Sequence, residues 1–411
     1  MSEAARRMAD PAFWWTRNDL AYVDGRLMFA GVDVAAAADE ALDPLYLYSA
    51  PRVGENLDRL ADALGGLPGP ARIYYAMKAN RFVPLLETMA RRGRCGVDIC
   101  SPDEMDRALA AGFAARNISF TGTGVSDRDL DRLLAHPDLH INCDSVSMIR
   151  RVGARAPGRA VGLRVNPERG VGYGGSAQLT YAGAEVTKFG VYRPQWPDAV
   201  AAARAHGLRL TTLHFHVGCG YLDRELGDWE AAVEAALEFL DLAPEVTTVN
   251  VGGGLGLPQQ AADAPLDLMR WAAVIARRIS ARGLSLAVEP GDYLVKDAGL
   301  LVLEVTDVEV KRDILFASVA GGFNLAPEPA HYGRPCEPVA CVLREPDPRR
   351  WRPTTVAGNI NEALDVWARG APLPPLAGGD RIALLHTGGY GASMSSNHCM
   401  RGATVERLLH G

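Results

Sequence analysis

The sequence has 411 residues, 48% of them hydrophobic and 22% charged, with a formal net charge of −6. That is too long for one ordinary core but suits a barrel-sized domain with a smaller companion. No basic block stands ready for nucleic acid or an anionic membrane, and no run is long and apolar enough to span a bilayer.

The opening MSEAARRMADPAFWW lacks the apolar stretch of a leader peptide, so a cytoplasmic location is expected. Seven cysteines without CxxC spacing read as buried free thiols, with neither a metal site nor a disulfide framework. Residues 18–32 alternate around Asp24-Gly25, a hairpin signal, and 45–48 (LYLY) form a short strand. From there the rhythm is strand, loop, helix. Strands are expected at 71–77, 96–101, 118–122, 139–144, 160–166, 210–218, 247–252 and 285–290. Helical stretches lie between them, among others at 103–112, 194–206, 229–240 and 267–282. The alternation predicts a (β/α)8 barrel. The glycine-rich gap 167–190 reads as an extended loop over the barrel mouth. Beyond residue 298 the runs LLVLEVTDVEVKR and RIALLHTGG suggest an antiparallel β domain joined by the N-terminal hairpin. The expected division is therefore 1–44 with the β domain, 45–298 as barrel and 299–411 as C-terminal β domain.

Chemistry is expected where barrel strands end. Lys78 follows the run ARIYYAM, where apolar walls would strip its hydration, lower its pKa and make it a nucleophile for carbonyls. A lysine that merely reaches out to water is the plain alternative. In Leu213-His-Phe-His-Val-Gly-Cys-Gly220 alternation puts His214 and His216 on one side. One buried, hydrogen-bonded histidine is the ordinary reading there, and a metal pair lacks a third ligand. Asn250-Val-Gly-Gly-Gly-Leu-Gly256 can turn backbone N–H groups towards a phosphate, or be only a tight turn. Glu289, in Ala287-Val-Glu-Pro-Gly291, is a partly buried carboxylate that needs a cationic partner, either a protonated ligand nitrogen or a structural salt bridge. Tyr390 sits in a glycine-rich loop from which it could reach a phosphate oxygen or plug a turn.

In this order, DPLYLYS, YYAMKAN, Lys188-Phe-Gly190, HFHVGCG, NVGGGLG, AVEPG and GGYGASMSSN resemble the fold-type III pyridoxal-phosphate decarboxylases of diaminopimelate, ornithine and arginine, over about residues 44–400. The resemblance implies an alanine-racemase-like barrel, pyridoxal 5'-phosphate as cofactor and a homodimer with shared active sites. It implies a Schiff base on Lys78, His216 against the cofactor ring and Glu289 at the pyridine nitrogen. Gly253, Gly254 and Tyr390 are implied at the phosphate, with Asp98, Cys219 and Gly291 also at the cofactor.

Three departures from the family pattern stand out, the first bearing on the substrate. The family's EPGR reads Glu289-Pro-Gly-Asp292, and its RPALY aligns with Glu328-Pro-Ala-His-Tyr332. Two arginines that hold a distal carboxylate in diaminopimelate decarboxylases are thus acids here, while Glu362 keeps the position of the distal-ammonium contact. With Tyr332 and Asp365 these residues form the implied substrate set. The pattern favours a lysine-, ornithine- or arginine-like substrate, L or D, unless the acids pair with nearby cations. Rivals are a conjugated or carrier-bound amino acid, diaminopimelate itself, or a catalytically silent regulator, against which Lys78, His216 and Glu289 argue. The family's Cys-Glu-x-x-Asp reads Asn361-Glu-Ala-Leu-Asp365. Asn361 therefore stands where the partner subunit's cysteine would protonate Cα, and an amide is no acid at neutral pH. Cys219 replaces a frequent serine.

Overall fold

The computed structural model describes residues 13–41, 43–172, 179, 181–183 and 185–411. The first twelve residues of the expected N-terminal segment, and 173–178, 180 and 184 of the glycine-rich gap, lie outside the described residues. Two compact units emerge. One gathers residues 1–55, 258–263 and 295–411; the other holds 56–257 and 264–294.

The second unit is a closed parallel barrel of eight strands. Three short strands, β1 (Leu20–Val23), β2 (Arg26–Phe29) and β3 (Val32–Asp33), and then β4 (Leu45–Ser49) precede it in the chain. The barrel strands are β5 (Ala71–Ala76), β6 (Gly96–Ile99), β7 (Ile118–Thr121), β8 (His140–Cys143), β9 (Ala160–Arg164), β10 (Arg209–His214), β11 (Thr248–Asn250) and β12 (Ser285–Val288). They pair in chain order, and β12 closes on β5 with Val288 opposite Ile73. The strands are short and mostly buried because a parallel strand is covered on both faces; in β5, Ile73, Tyr74, Tyr75 and Ala76 are all buried, while Asp98, Asn142, His214 and Asn250 are buried polar side chains at other strand ends. Serines cap the helices after β6, β7 and β8: Ser101, Ser126 and Ser145 each accept a backbone N–H three residues on. Those caps fix where the chain turns back at the rim, and with it the rim side chains.

The first unit has a mixed sheet. It comprises β13 (Gly299–Lys311), β14 (Ile314–Val319), β15 (Pro338–Ala340), β16 (Arg352–Ala357), β17 (Val366–Leu373), β18 (Arg381–Leu384) and β19 (Val405–Leu409), together with β4. The purely antiparallel domain expected from the sequence needs correction: β14 runs parallel to β16, and β19 parallel to β4. β4 also leaves the expected barrel. It pairs antiparallel with β13, Leu47 opposite Leu300, so the barrel unit starts at 56 rather than 45. An apolar strand satisfies a barrel and a sheet equally well; the available partner edge decides. The hairpin β1–β2 pairs Leu20 with Phe29, and both side chains enter one core with Val34, Leu45, Leu300, Val302 and Cys341. The cysteines are all free, but Cys100 and Cys399 are exposed, contrary to the expectation of burial.

Candidate active site

The barrel rim assembles a hydrogen-bonded set around Glu289. The Glu289 N–H donates to the Gly252 carbonyl (2.8 Å), and the Ala76 N–H at the end of β5 donates to the Pro290 carbonyl (3.0 Å). The Glu-Pro-Gly turn is thereby tied to both neighbouring strand ends. The Glu289 side chain is buried. His214 Nε2 lies 2.9 Å from its Oε2, and Asn250 Nδ2 donates to its Oε1 at 2.7 Å. Burial alone would raise this carboxyl, but His214, Asn250 and the charge of Lys78 outweigh it and hold the group below the usual carboxylate range. Glu289 therefore stays ionised.

The two histidines of HFHVGCG do different work. β10 ends at His214, which serves Glu289 from inside the barrel; His216 lies beyond the strand end. The Gly253 N–H donates to His216 Nδ1 (3.3 Å), and the Tyr181 ring meets its imidazole edge-on with centroids 4.7 Å apart. Loss of hydration, then the Lys78 and Arg164 charges, push His216 well down, so the ring is neutral.

The glycine run is more tightly committed than a free phosphate cradle. The Gly252 N–H donates to Asn250 Oδ1 (3.0 Å), and the Gly253 amide is taken by His216. A Cβ on Gly253 would stand 2.1 Å from the Glu289 carbonyl oxygen, and one on Gly254, at φ +98°, 2.1 Å from that of Gly218. The glycines are required first by close backbone packing. Of the three, this leaves the Gly254 amide as the one not assigned to either bond.

Lys78 sits in the turn Met77–Ala79 after β5, and its side chain is exposed at the rim. The expected dry, pKa-lowering pocket is a correction. Cys100 foremost, then Asp98, Tyr181 and Glu289, favour its ammonium over the opposing loss of hydration, and its pKa is raised. Asp98 lies at the β6 end, 2% exposed, and its Oδ1 has no hydrogen-bond partner among the described residues. Burial, then the Glu289 charge, push its carboxyl well up. Cys219 is half-buried on the loop after β10, and Gly291 is buried beside Glu289. Asp292, half-buried, opens the short helix Asp292–Val295.

Sequence reasoning missed several partners. Asn250 and His214 hold Glu289; Asp144 pairs with Arg164 (3.4 Å) and accepts the Gly190 N–H (3.0 Å). The Arg164 guanidinium stacks 4.6 Å above the Phe189 ring, which explains the Lys188-Phe-Gly190 triplet. Only the register of neighbouring strand ends could have flagged these residues.

Within the β-rich unit the remaining expected residues are scattered over several loops. Asp365 is buried and accepts the N–H groups of Phe323 (2.7 Å) and Ile360 (2.6 Å). A Cβ on Gly322 or Gly358 would strike its carboxylate at 2.5 and 2.4 Å. In this structure it anchors the loops carrying Phe323 and Ile360. Glu328 pairs with Lys296, itself 2% exposed, so it is not the free acid the motif comparison suggested. Tyr332 is half-buried at the end of the helix Glu328–Tyr332. Asn361 and Glu362 are exposed, and Glu362 meets His398 Nε2 at 3.4 Å. Tyr390 is half-buried with φ +55°, a strained value for a non-glycine residue. Among the described residues no cluster of histidine, cysteine and acidic side chains could hold a metal ion, and no helix is long and apolar enough to cross a membrane.

Residues 52–296 match the family model described as the pyridoxal binding domain of pyridoxal-dependent decarboxylases. The diaminopimelate decarboxylase of Methanothermobacter thermautotrophicus is 34% identical over 94% of this chain and 91% of its own length. That of Streptomyces coelicolor is 33% identical over 93% and 88%. Among known structures, the diaminopimelate decarboxylase from Helicobacter pylori complexed with L-lysine matches with a TM-score of 0.81 and 25% identity, covering 91% of this chain and 93% of that one. The corresponding enzyme from M. jannaschii shares the fold at TM-score 0.85 and 23% identity, covering 95% and 92%.

Proposed function

The chain belongs to the pyridoxal-dependent decarboxylases, and from that premise we propose that its substrate is an amino acid with a cationic distal end, lysine-, ornithine- or arginine-like. The residues present fit the cofactor. Lys78 offers an accessible amine, Glu289 a carboxylate kept ionised, His216 a neutral ring, and Asp98 a buried oxygen lacking a partner.

When bound, pyridoxal phosphate supplies an electron sink for the pair left as CO2 departs. Lys78 would be the residue that binds the cofactor's aldehyde, and Glu289 the carboxylate that would favour a protonated pyridine nitrogen. His214 and Asn250 prevent Glu289 from turning away. His216, oriented by the Gly253 amide, would be the side chain set against the cofactor ring. Gly254, Cys219, Gly291, Asp98 and Tyr390 complete the cofactor set that the motif resemblance implies.

The observation carrying the substrate assignment is Asp292, an acid in the barrel unit just beyond Glu289-Pro-Gly where the resembling enzymes place arginine. A distal carboxylate would meet like charge there, and a distal ammonium an opposite one. Diaminopimelate is the second reading. It is favoured by the curated relatives and by Lys296, which answers the Glu328 charge with a cation. Measured CO2 release from L- and D-lysine, ornithine, arginine and meso-diaminopimelate separates the two. The basic amino acids should lead in kcat/KM by about a hundredfold; efficient turnover of meso-diaminopimelate would overturn the assignment. Failure of every free amino acid would point instead to a conjugated or carrier-bound substrate.

A cytoplasmic homodimer with shared sites belongs to the same proposal. Seven free cysteines suit a reducing compartment, and exposed Asn361 and Glu362 occupy the positions that a partner subunit contributes in the resembling enzymes. Mixing inactive Lys78→Ala and Glu362→Ala chains should then regain activity through hybrid dimers. No recovery after verified exchange of subunits would refute a shared site.

A further inference from the structure

The carbon that loses CO2 must regain a proton, and the barrel rim contains a side chain placed to provide one. β5 and β6 run parallel, and their last paired residues are Ala76 and Asp98. Lys78 lies two residues beyond the first and Cys100 two beyond the second, so the turn carrying the amine neighbours the thiol. Both side chains are exposed, and Cys100 is the foremost electrostatic neighbour of Lys78. The Cys100 N–H donates to Glu104 Oε2 (2.6 Å), and the Ser101 cap starts the next helix, so the backbone under the thiol is fixed. Two residues back on β6, Asp98 holds a 98%-buried carboxyl with an unpartnered oxygen, with Glu289 and Lys78 as charged neighbours.

The other groups there are less suited. Glu289 is ionised, with both oxygens engaged. His216 is neutral and committed through Nδ1. Asp98 is too deeply buried to meet a substrate carbon. Outside the barrel unit, Asn361 has no acidic proton to give. Lys78 and Tyr181 are the competitors that an experiment must separate.

We propose that Cys100 is the acid that protonates the carbon vacated by CO2, an assignment that rests on the decarboxylase reading. The electron pair left on carbon forms the new C–H bond. The S–H bond breaks with its pair kept on sulfur, and the exposed thiolate regains a proton from water. The thiol carries its proton at neutral pH, since its surroundings raise rather than lower it from the ordinary thiol range despite the opposing charge of Lys78.

Two measurements test this. In the first, the parent protein is treated with iodoacetamide with and without added pyridoxal phosphate, and modified peptides are identified by mass. Cys100 should be labelled in the absence of cofactor and protected about tenfold or more in its presence; equal rates would place the thiol away from the reacting centre and overturn the proposal. In the second, the basic amino acid turned over most efficiently is decarboxylated in D2O. The parent should give product with deuterium in a single configuration. Cys100→Ala and Cys100→Ser should lower kcat about a hundredfold with little change in KM, and should give product of mixed configuration. A single configuration at undiminished rate in a variant that binds pyridoxal phosphate would assign the proton to Lys78 or Tyr181. The alkylation experiment needs no substrate, so it still decides the placement of Cys100 if the substrate proposal fails.

Discussion

Buried acids meet opposite fates in the two units. In the barrel, Glu289 faces an imidazole, a side-chain amide and the charge of Lys78, and it is held ionised. In the β-rich unit, Asp365 faces two backbone N–H groups, and burial wins: its carboxyl is pushed up despite the Phe323 and Ile360 bonds. Amide dipoles fix a loop; full or titratable charges keep an anion available for chemistry. Asp98 is raised like Asp365 but within the same barrel end as Glu289, by burial and then by the Glu289 charge. Side chains that sit close together are thus driven to different protonation states, as acid–base sites require.

The largest effect should come from removing the nucleophile. Lys78→Ala should lower kcat at least about a thousandfold, roughly 4 kcal/mol. In the parent, borohydride reduction in the presence of pyridoxal phosphate should label Lys78; a label on another lysine would remove it from the site.

Next is the Lys296–Glu328 pair, the buried charge pair that most resembles the barrel's arrangement yet lies in the β-rich unit. Lys296→Met removes the cation beside a shielded carboxylate and should cost about 3 kcal/mol in urea unfolding. Lys296→Met with Glu328→Gln should recover most of that. If the single and double variants are equally unstable, packing of the lysine stem and not charge holds this region.

Glu289→Gln should retain pyridoxal phosphate but lower kcat about a hundredfold, near 2.7 kcal/mol, because an amide cannot hold a proton on the pyridine nitrogen. The same variant has a pH signature. Glu289 titrates at about 2 when folded against 4.5 as a free carboxyl, so the unfolded chain binds more protons between those values. Its contribution to stability is complete above 4.5 and disappears as pH falls towards 2. The variant should therefore lose less stability than the parent on acidification across that window. Identical acid profiles would show that the His214 and Asn250 contacts do not depress the carboxyl.

The smallest effect is expected at Arg204–Glu245, an ion pair on the barrel exterior at 3.1 Å with both side chains well exposed. Glu245→Gln should change stability by less than about 1 kcal/mol, since water and salt screen it. A larger loss would mean that solvent exposure is not what separates this pair from Lys296–Glu328.

The sequence by itself determined the barrel. Parallel strands covered on both faces are rich in buried apolar residues, so the eight alternate recognisably with helical stretches. It also determined the order of the reactive side chains, since a strand end fixes where Lys78 and Glu289 emerge. Tertiary structure alone decided the partners. β4 is as apolar as a barrel strand and joins the mixed sheet because the edge of β13 receives it. Glu328 looks like a free acid until Lys296, 32 residues away in the chain, closes on it. Asp365 reads as a ligand until two amides and two glycines surround it. Cys100 gains significance only because the register of β5 and β6 brings it beside Lys78. Charge, tautomer and accessibility are set by neighbours distant in sequence, and no local pattern encodes which neighbour will arrive.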